Sequence, residues 1–321
     1  MKIAIVGATG LVGESLIGLL DKKMIDATYY LFASKASQGK RYDICGRTYV
    51  VDCIENCFDC AVDVAFLMCS ADLSRQYAPV FLANGATVID NSSYFRLRDE
   101  VPLVIDSING QVAKGKNLIA NPNCTTIGVA MVLDALKELQ PKSVVVSTYQ
   151  AVSGAGRDGV CELNYKSNYG NLKQFAHPIY DNVIPAIDCF CSNGYTGEEM
   201  KMHNECQKLF GEQIKVSCTA VRVPVSVGHC ASLTINFAKK FDLAEVIQRF
   251  SAYPNLIVCD NASRQRYPMP IIAKNTPFVY VGRIRRDIAL DNTLSCFVAL
   301  DNLVRGASFN AYEIFRRVCN V

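Results

Sequence analysis

The chain has 321 residues, a net charge of +3, half of its residues hydrophobic and a fifth charged. That length suits two domains of ordinary size, and that composition describes a folded, enzyme-like chain and not a disordered one. Lys and Arg are interspersed with Asp and Glu, the basic run Arg283 to Arg286 is too short for a nucleic-acid stripe, and no apolar run reaches the roughly 18 residues of a membrane span. Neither a nucleic acid nor a membrane is therefore expected as a partner.

Met1-Lys2-Ile3-Ala4-Ile5-Val6-Gly7 opens at once into a strand and a glycine turn, unlike a signal peptide. Fifteen irregularly spaced cysteines without a secretory signal read as reduced thiols in a cytoplasmic protein, most of them buried as small hydrophobes. Strands are expected at Ile3 to Val6, Tyr29 to Ala33, Asp63 to Met68 and Ala86 to Ile89, with helices at Leu11 to Leu20 and Leu73 to Ala83. Such alternation is the signature of a parallel, doubly wound α/β sheet.

Between the first strand and first helix stands Gly7-Ala8-Thr9-Gly10-Leu11-Val12-Gly13. Small residues there let the backbone approach a pyrophosphate, whose charge sits on the helix N-terminus; a glycine turn needed only for packing is the competing reading. The second strand runs into Ser34-Lys35-Ala36-Ser37-Gln38-Gly39-Lys40-Arg41, with hydroxyls and cations but no acid to take ribose hydroxyls. That favours a 2′-phosphate, hence NADP, against a merely solvated loop. Cys53, Cys57 and Cys60 have a spacing that could hold an iron–sulfur cluster, but they lie inside the βαβ-like region with no further ligand cluster after them, so free thiols in a connecting loop or short strand are the expected reading.

Further on, a strand-like stretch from Asn117 to Ala120 meets an Asn-Pro turn, then Cys124, then a helical pattern from about Ile127 to Leu139. A thiol held rigidly before a helix N-terminus has the partial positive charge and the N–H groups that favour a thiolate and an adjacent oxyanion. The domain boundary is placed here. Val144 to Val152 is strongly β, and Cys230 to Phe237 alternates Leu233, Ile235 and Phe237 against Ser232, Thr234 and Asn236, as half-buried antiparallel strands do. Glu198 and Lys201 share a face of a helix from Gly197 to Leu209, as a ligand clamp or a plain ion pair. Arg222 sits in the apolar run Ala220 to Val225, so it must hold an anion or pair internally. Of three histidines, His177 precedes a proline in a loop, His203 lies on a polar helix face, and His229 follows Gly228 at a turn between strands, where a general acid/base or a structural histidine would fit. Asn302 to Arg317 reads as an amphipathic helix able to pack back on the first domain.

Asn121-Pro122-Asn123-Cys124-Thr125-Thr126 resembles the nucleophile motif of the aspartate-semialdehyde dehydrogenases, and Ser147 to Gly156 resembles the same family's second motif. Asn182-Val183-Ile184-Pro185, Glu198 to Met202, Arg222 to Val225 with Gly228-His229, Gly282 to Asp287, and Asp301-Asn302-Leu303 with Gly306-Ala307 follow in family order. The resemblance therefore covers essentially the whole chain. It implies an NADP-binding Rossmann-like α/β domain over residues 1–123, completed by a C-terminal helix over 302–321. A second, α+β catalytic and dimerisation domain would span 124–301 around a mixed, largely antiparallel sheet, in a homodimer or a dimer of dimers.

By position, the resemblance implies Cys124 as acyl-thioester nucleophile, His229 as acid/base catalyst and Gln150 as the residue orienting the acyl group. Arg222 would take the substrate α-carboxylate and Glu198 its α-amine, with Arg96, Asn123 and Lys201 on the phosphate. Gly7, Thr9, Gly10, Leu11, Val12, Ser34, Lys35, Ser37, Ser153, Gly154 and Asn302 would contact NADP, and no metal is implied. Ala36 stands where the family often has an arginine on the 2′-phosphate, Lys35 being the nearest substitute. Ser107 replaces an acidic residue after Val104-Ile105, and Cys230-Ala231 replaces a more polar pair after His229. The implied reaction is NADPH-dependent reductive dephosphorylation of L-4-aspartyl phosphate to L-aspartate 4-semialdehyde. The competitors are a related acyl-phosphate reductase of the N-acetylglutamyl-phosphate or glyceraldehyde-phosphate type, a catalytically silent relative acting as a binding partner, and a cluster-bearing electron-transfer protein.

Overall fold

Ile3, Ala4, Ile5 and Val6 are all buried, as a strand covered on both faces requires, and they form the centre of the first sheet. The computed structural model describes residues 1–58, 60–163 and 172–320. The chain divides into two units, Met1–Pro122 with Ala307–Val321, and Asn123–Gly306.

In the first unit β1 (Lys2–Val6) leads to α1 (Leu11–Lys22), β2 (Thr28–Ala33), β3 (Arg41–Ile44), β4 (Arg47–Cys53), β5 (Val64–Leu67), α2 (Ala71–Ala83), β6 (Thr87–Asp90), α3 (Asp106–Asn109) and β7 (Leu118–Ala120). The sheet order is β3-β4-β2-β1-β5-β6-β7. Every pairing is parallel except that of β3 with β4. That antiparallel hairpin replaces part of the loop expected after β2. Its two turn residues, Cys45 and Gly46, both have positive φ (50° and 75°), the geometry that suits the right-handed twist of flanking strands. Gly7 also has a positive φ, 81°, and a methyl there would collide with the Met68 carbonyl, so the turn after β1 admits only glycine.

The second unit starts with α4 (Cys124–Ala135), continues through β8 (Pro141–Gln150), α5 (Gly156–Glu162), α6 (Gly197–Phe210), β9 (Lys215–Arg222), β10 (His229–Phe237), α7 (Leu243–Ala252), β11 (Leu256–Val258), α8 (Pro270–Ala273) and β12 (Val279–Arg286), and ends in β13 (Thr293–Leu300). Sheet order is β11-β12-β13-β10-β8-β9, with antiparallel pairings in the middle and a parallel pairing at each edge. Leu233, Ile235 and Phe237 are buried while Ser232, Thr234 and Asn236 are half-buried, the alternation expected of β10. Two expected boundaries move. The helix after the Asn-Pro turn starts at Cys124 and not near Ile127, because the Asn123 side chain caps it and draws Thr125 and Thr126 into its first turn; it ends at Ala135, with only a 3-10 turn over Lys137–Leu139. β8 stops at Gln150, and Val152 opens a 3-10 turn to Ala155.

The C-terminal segment is not one helix from Asn302. A π-helical turn over Val304–Ser308 precedes α9 (Phe309–Cys319), and Val321 lies outside the described residues. Ile314 and Phe315 are fully buried in the core of the first unit, Phe315 meeting Phe66 at 5.7 Å between ring centroids. Two such side chains contribute about 3–6 kcal/mol of burial. Asn310 adds amide bonds to Val104 O (2.8 Å) and Asn121 Oδ1 (2.5 Å), and Arg317 pairs with Asp106, so a carboxylate does follow Val104-Ile105, one position before Ser107.

Candidate active site

Cys124 is the first residue of α4. Asn123 precedes it as N-cap, its Oδ1 accepting the N–H groups of Thr125 (2.9 Å) and Thr126 (3.4 Å). The thiol therefore stands at the positive end of a helix whose first turn is held rigid. A methyl on Gly306 would come 2.7 Å from the Cys124 Cβ, so only glycine leaves that side of the cysteine clear.

Asn123 is itself gripped from α6. Glu198 Oε1 accepts its Nδ2 at 2.9 Å, and Glu205 Oε2 accepts its backbone N–H at 2.7 Å. These carboxylates are seven residues apart, two turns along one helix face. Glu198 Oε1 also accepts Gln150 Nε2 at 3.1 Å, while Oε2 pairs with Lys201 Nζ at 3.2 Å, the helical ion pair that the spacing allows. Lys201 Nζ meets Asp188 Oδ2 as well, at 2.8 Å. Burial works against the Lys201 charge, but Glu198 and Asp188 outweigh it and raise the ammonium above its ordinary value.

Gln150 and Arg222 are register partners at the ends of β8 and β9. Arg222 is 6% exposed, and its Nη1 donates to Ala151 O at 2.8 Å. Burial lowers the guanidinium from its usual range, opposed by Glu198 and Cys124. No carboxylate bonds to this cation directly among the described residues, which favours an anionic ligand over an internal salt bridge.

His229, the first residue of β10, is fully buried. The Ala151 N–H donates to its Nδ1 at 3.0 Å, which makes Nδ1 the acceptor and leaves the ring proton on Nε2. Nε2 has no partner among the described residues, and a methyl on Gly154 would lie 3.2 Å from it and 2.8 Å from Arg222 Nη1. Gly154 thus keeps open the space that both side chains face. Burial, reinforced by Arg222, holds the imidazole well below its usual value, so it is a neutral donor. His177 is exposed, and His203 Nδ1 lies 2.9 Å from Val216 O, so neither has this setting.

Asn302 is buried, its Oδ1 accepting the Gly228 N–H at 2.9 Å and its Nδ2 donating to Ser153 Oγ at 3.0 Å. It ties the 3-10 turn bearing Ser153 and Gly154 to the residue before His229. In the first unit, Arg96 is buried and donates through Nε to Asn121 O (2.9 Å) and through Nη2 to Asn91 O (2.7 Å). Gly10 caps α1 without a side-chain bond, and a methyl on Gly13 would collide with the Gly7 carbonyl. Leu11 and Val12 follow in the first turn. Thr9 Oγ1 donates to Ser37 Oγ at 3.2 Å, and Ser34 and Lys35 are exposed. This close-packed glycine turn with helix amides beyond it fits a dinucleotide pyrophosphate. Cys53, Cys57 and Cys60 are buried, burial pushing the Cys57 thiol up to about 11, and the described residues contain no cluster able to hold a metal.

Asp188 and Glu205 were not anticipated. Glu205 repeats Glu198 at i+7 and was readable from that spacing; Asp188 carried no local signal.

Residues 2–116 match the semialdehyde dehydrogenase NAD binding domain, and residues 133–305 the semialdehyde dehydrogenase dimerisation domain. The chain is 39% identical to the aspartate-semialdehyde dehydrogenase of Campylobacter jejuni, over 98% of this chain and 96% of that one, and 35% identical to that of Bacillus subtilis over the same shares. Its structure resembles aspartate semialdehyde dehydrogenase II from Vibrio cholerae complexed with ASA, with a TM-score of 0.95 and 34% identity over 99% of this chain and 98% of that one. A glycine-cradled dinucleotide turn in one unit, and in the other a capped cysteine with buried Gln, Glu, Arg and His, thus have matching relatives along the full length. The chain belongs to the aspartate-semialdehyde dehydrogenase family.

Proposed function

We propose that the chain reduces L-4-aspartyl phosphate to L-aspartate 4-semialdehyde through an acyl-thioester on Cys124. The observation that carries this reading is the assembly, within one unit, of a cysteine that opens a capped helix, a neutral Nε2–H imidazole and a buried arginine to which no carboxylate bonds among the described residues. The Cys124 thiolate attacks the acyl carbon, the C–O bond to phosphate breaks, and inorganic phosphate leaves. Splitting the reduction in two makes each half easier. A nicotinamide dinucleotide held on the glycine turn after β1 would supply the hydride for the thioester carbon. His229 Nε2–H hydrogen-bonds the tetrahedral oxygen so formed; as the C–S bond breaks, that oxygen's electron pair re-forms the carbonyl, releasing aldehyde and the Cys124 thiolate.

Arg222 holds the α-carboxylate and Glu198 the α-amine, while Gln150, anchored on Glu198, orients the acyl group. Arg96, Asn123 and Lys201 serve the phosphate. A buried carboxylate at Glu198 suits a free ammonium, which disfavours substrates whose amine is acylated or missing. Gly7, Thr9, Gly10, Leu11 and Val12 hold the pyrophosphate, and Ser153, Gly154 and Asn302 complete the cofactor contacts. NADP is the preferred dinucleotide, because the end of β2 offers Ser34, Lys35 and Ser37 and no acid. The dimerisation-domain match supports a homodimer or dimer of dimers, and the outer sheet face bearing Val145 and Tyr149, 54% and 39% exposed, offers an apolar surface for it. No described helix is long and apolar enough to cross a membrane, and the cytoplasm is the compartment this chemistry suits. The test is an assay with aspartate semialdehyde, inorganic phosphate and each nicotinamide cofactor in turn, read at the absorbance of the reduced form. Reduction of NADP that requires phosphate and vanishes in Cys124→Ser supports the reading; phosphate-independent turnover, or turnover by that variant, overturns it.

A further inference from the structure

Most of the fifteen cysteines are buried or half-buried, and burial pushes several of the thiols, among them Cys218, Cys230 and Cys296, up to about 12. Three are exposed, and two of these, Cys189 and Cys191, stand one residue apart. Phe190 between them pairs antiparallel with Thr196. The Cys191 N–H donates to Tyr195 O at 2.7 Å and the Gly197 N–H to Cys189 O at 2.8 Å. Residues flanking the centre of an extended rung project to one face, so the two sulfurs share a side. Thr196 is the N-cap of α6, and Gly197 begins it. The dithiol segment is therefore laced to the helix that carries Glu198 and Lys201.

The residue before Cys189 supplies a second tie. Asp188 has φ 74°, the left-handed region that side chains other than Asn and Asp rarely adopt, and its Oδ2 holds Lys201 Nζ at 2.8 Å. Alternate residues of a strand lie about 6.5–7 Å apart along it. A disulfide needs Cβ atoms about 3.8 Å apart. Joining Cys189 to Cys191 must then buckle the segment at Phe190, and the adjoining strained residue is Asp188.

We propose that Cys189 and Cys191 form a dithiol/disulfide site that controls Lys201 through Asp188. The oxidant is a low-molecular-weight disulfide, RSSR. One thiolate attacks it, forming a mixed disulfide and releasing RSH; the second thiolate displaces the other RSH, leaving a Cys189–Cys191 bond and two reduced thiols. With Asp188 withdrawn, Lys201 collapses onto Glu198, already 3.2 Å away, and is less available to phosphate. The functional half rests on the reading of Lys201 as a phosphate ligand; the thiol chemistry does not.

The test equilibrates the full-length enzyme, bound to NADP, with oxidised glutathione, alongside Cys189→Ser/Cys191→Ser and Cys191→Ala. Peptide mapping reads the bond, and KM for inorganic phosphate reads its effect. The expected result is an intramolecular Cys189–Cys191 disulfide in the wild type and a KM for phosphate raised about 5-fold or more, reversed by dithiothreitol and absent from both variants. A fall in kcat common to all three reports the Cys124 thiol and is scored separately. Mixed disulfides alone, no disulfide, or a disulfide without a change in KM overturns the proposal. If Lys201→Ala leaves KM for phosphate unchanged, the role of Lys201 fails while the mapped disulfide stands.

Discussion

Replacing Gly154 by alanine probes the space between Arg222 and His229 without removing any reacting group. Gly154 does not use a left-handed φ, so its backbone accepts alanine, and the loss of glycine's freedom in the unfolded chain contributes about 0.4–1 kcal/mol in favour of the variant. The added methyl would stand 2.8 Å from Arg222 Nη1 and 3.2 Å from His229 Nε2. Carbon–nitrogen contacts settle near 3.5 Å, so the guanidinium must retreat by about 0.7 Å, and the methyl also occupies the place where the reacting oxygen would meet Nε2–H. A misplacement approaching 1 Å costs roughly 10²-fold in rate, or about 2.7 kcal/mol of barrier. Gly154→Ala should therefore keep its melting temperature within a few degrees, followed by circular dichroism, while kcat/KM for aspartate semialdehyde falls about 100-fold. Activity within about threefold of wild type would refute the claim that this space holds the substrate.

Because burial and Arg222 keep His229 neutral, the pH profile of kcat/KM should show no acidic limb near the usual histidine value, and His229→Asn should lower turnover by roughly 10²–10⁴; a limb near that value contradicts the neutral-donor role. The same lowering has a sign for stability. Between the native value and the ordinary 6.5 the unfolded chain binds more protons, so His229 makes stability fall as pH falls through that window, a slope that denaturant titrations of the Asn variant should lack. Asn123→Ala removes the cap of α4 and a donor to Glu198, and should cost about 1–2 kcal/mol in urea melts together with a fall in kcat; unchanged stability would contradict the capping account.

Much of this arrangement is written in local pattern. The apolar run Ile3 to Val6 with glycines after it marks a central parallel strand and a dinucleotide turn, and the alternation in Cys230 to Phe237 marks a half-buried strand, because period and burial are properties of neighbours in sequence. The β3–β4 hairpin escapes the sequence pattern because it lies at a sheet edge, with Ile44 but otherwise mainly polar residues beside a Cys45-Gly46 turn lacking the usual Asn-Gly signal. Cys124 was seen to adjoin a helix, but its place as first residue depends on the Asn123 cap, which two β-branched threonines disguised. Asp188 stayed hidden because its partner, Lys201, is fixed by tertiary approach and not by spacing. Likewise the tautomer of His229 is set by the amide of Ala151, 78 positions away, and no composition or motif carries that.

The central claim is a covalent aspartyl thioester on Cys124, and it can be caught by withholding phosphate. Wild-type enzyme mixed with aspartate semialdehyde and NADP, then quenched in acid, should give a burst of reduced cofactor equal to the number of sites. Mass spectrometry should then find a hydroxylamine-labile aspartyl adduct on the Cys124 peptide, absent from Cys124→Ser. A burst with no adduct there, or an adduct on another of the fifteen cysteines, would contradict the account.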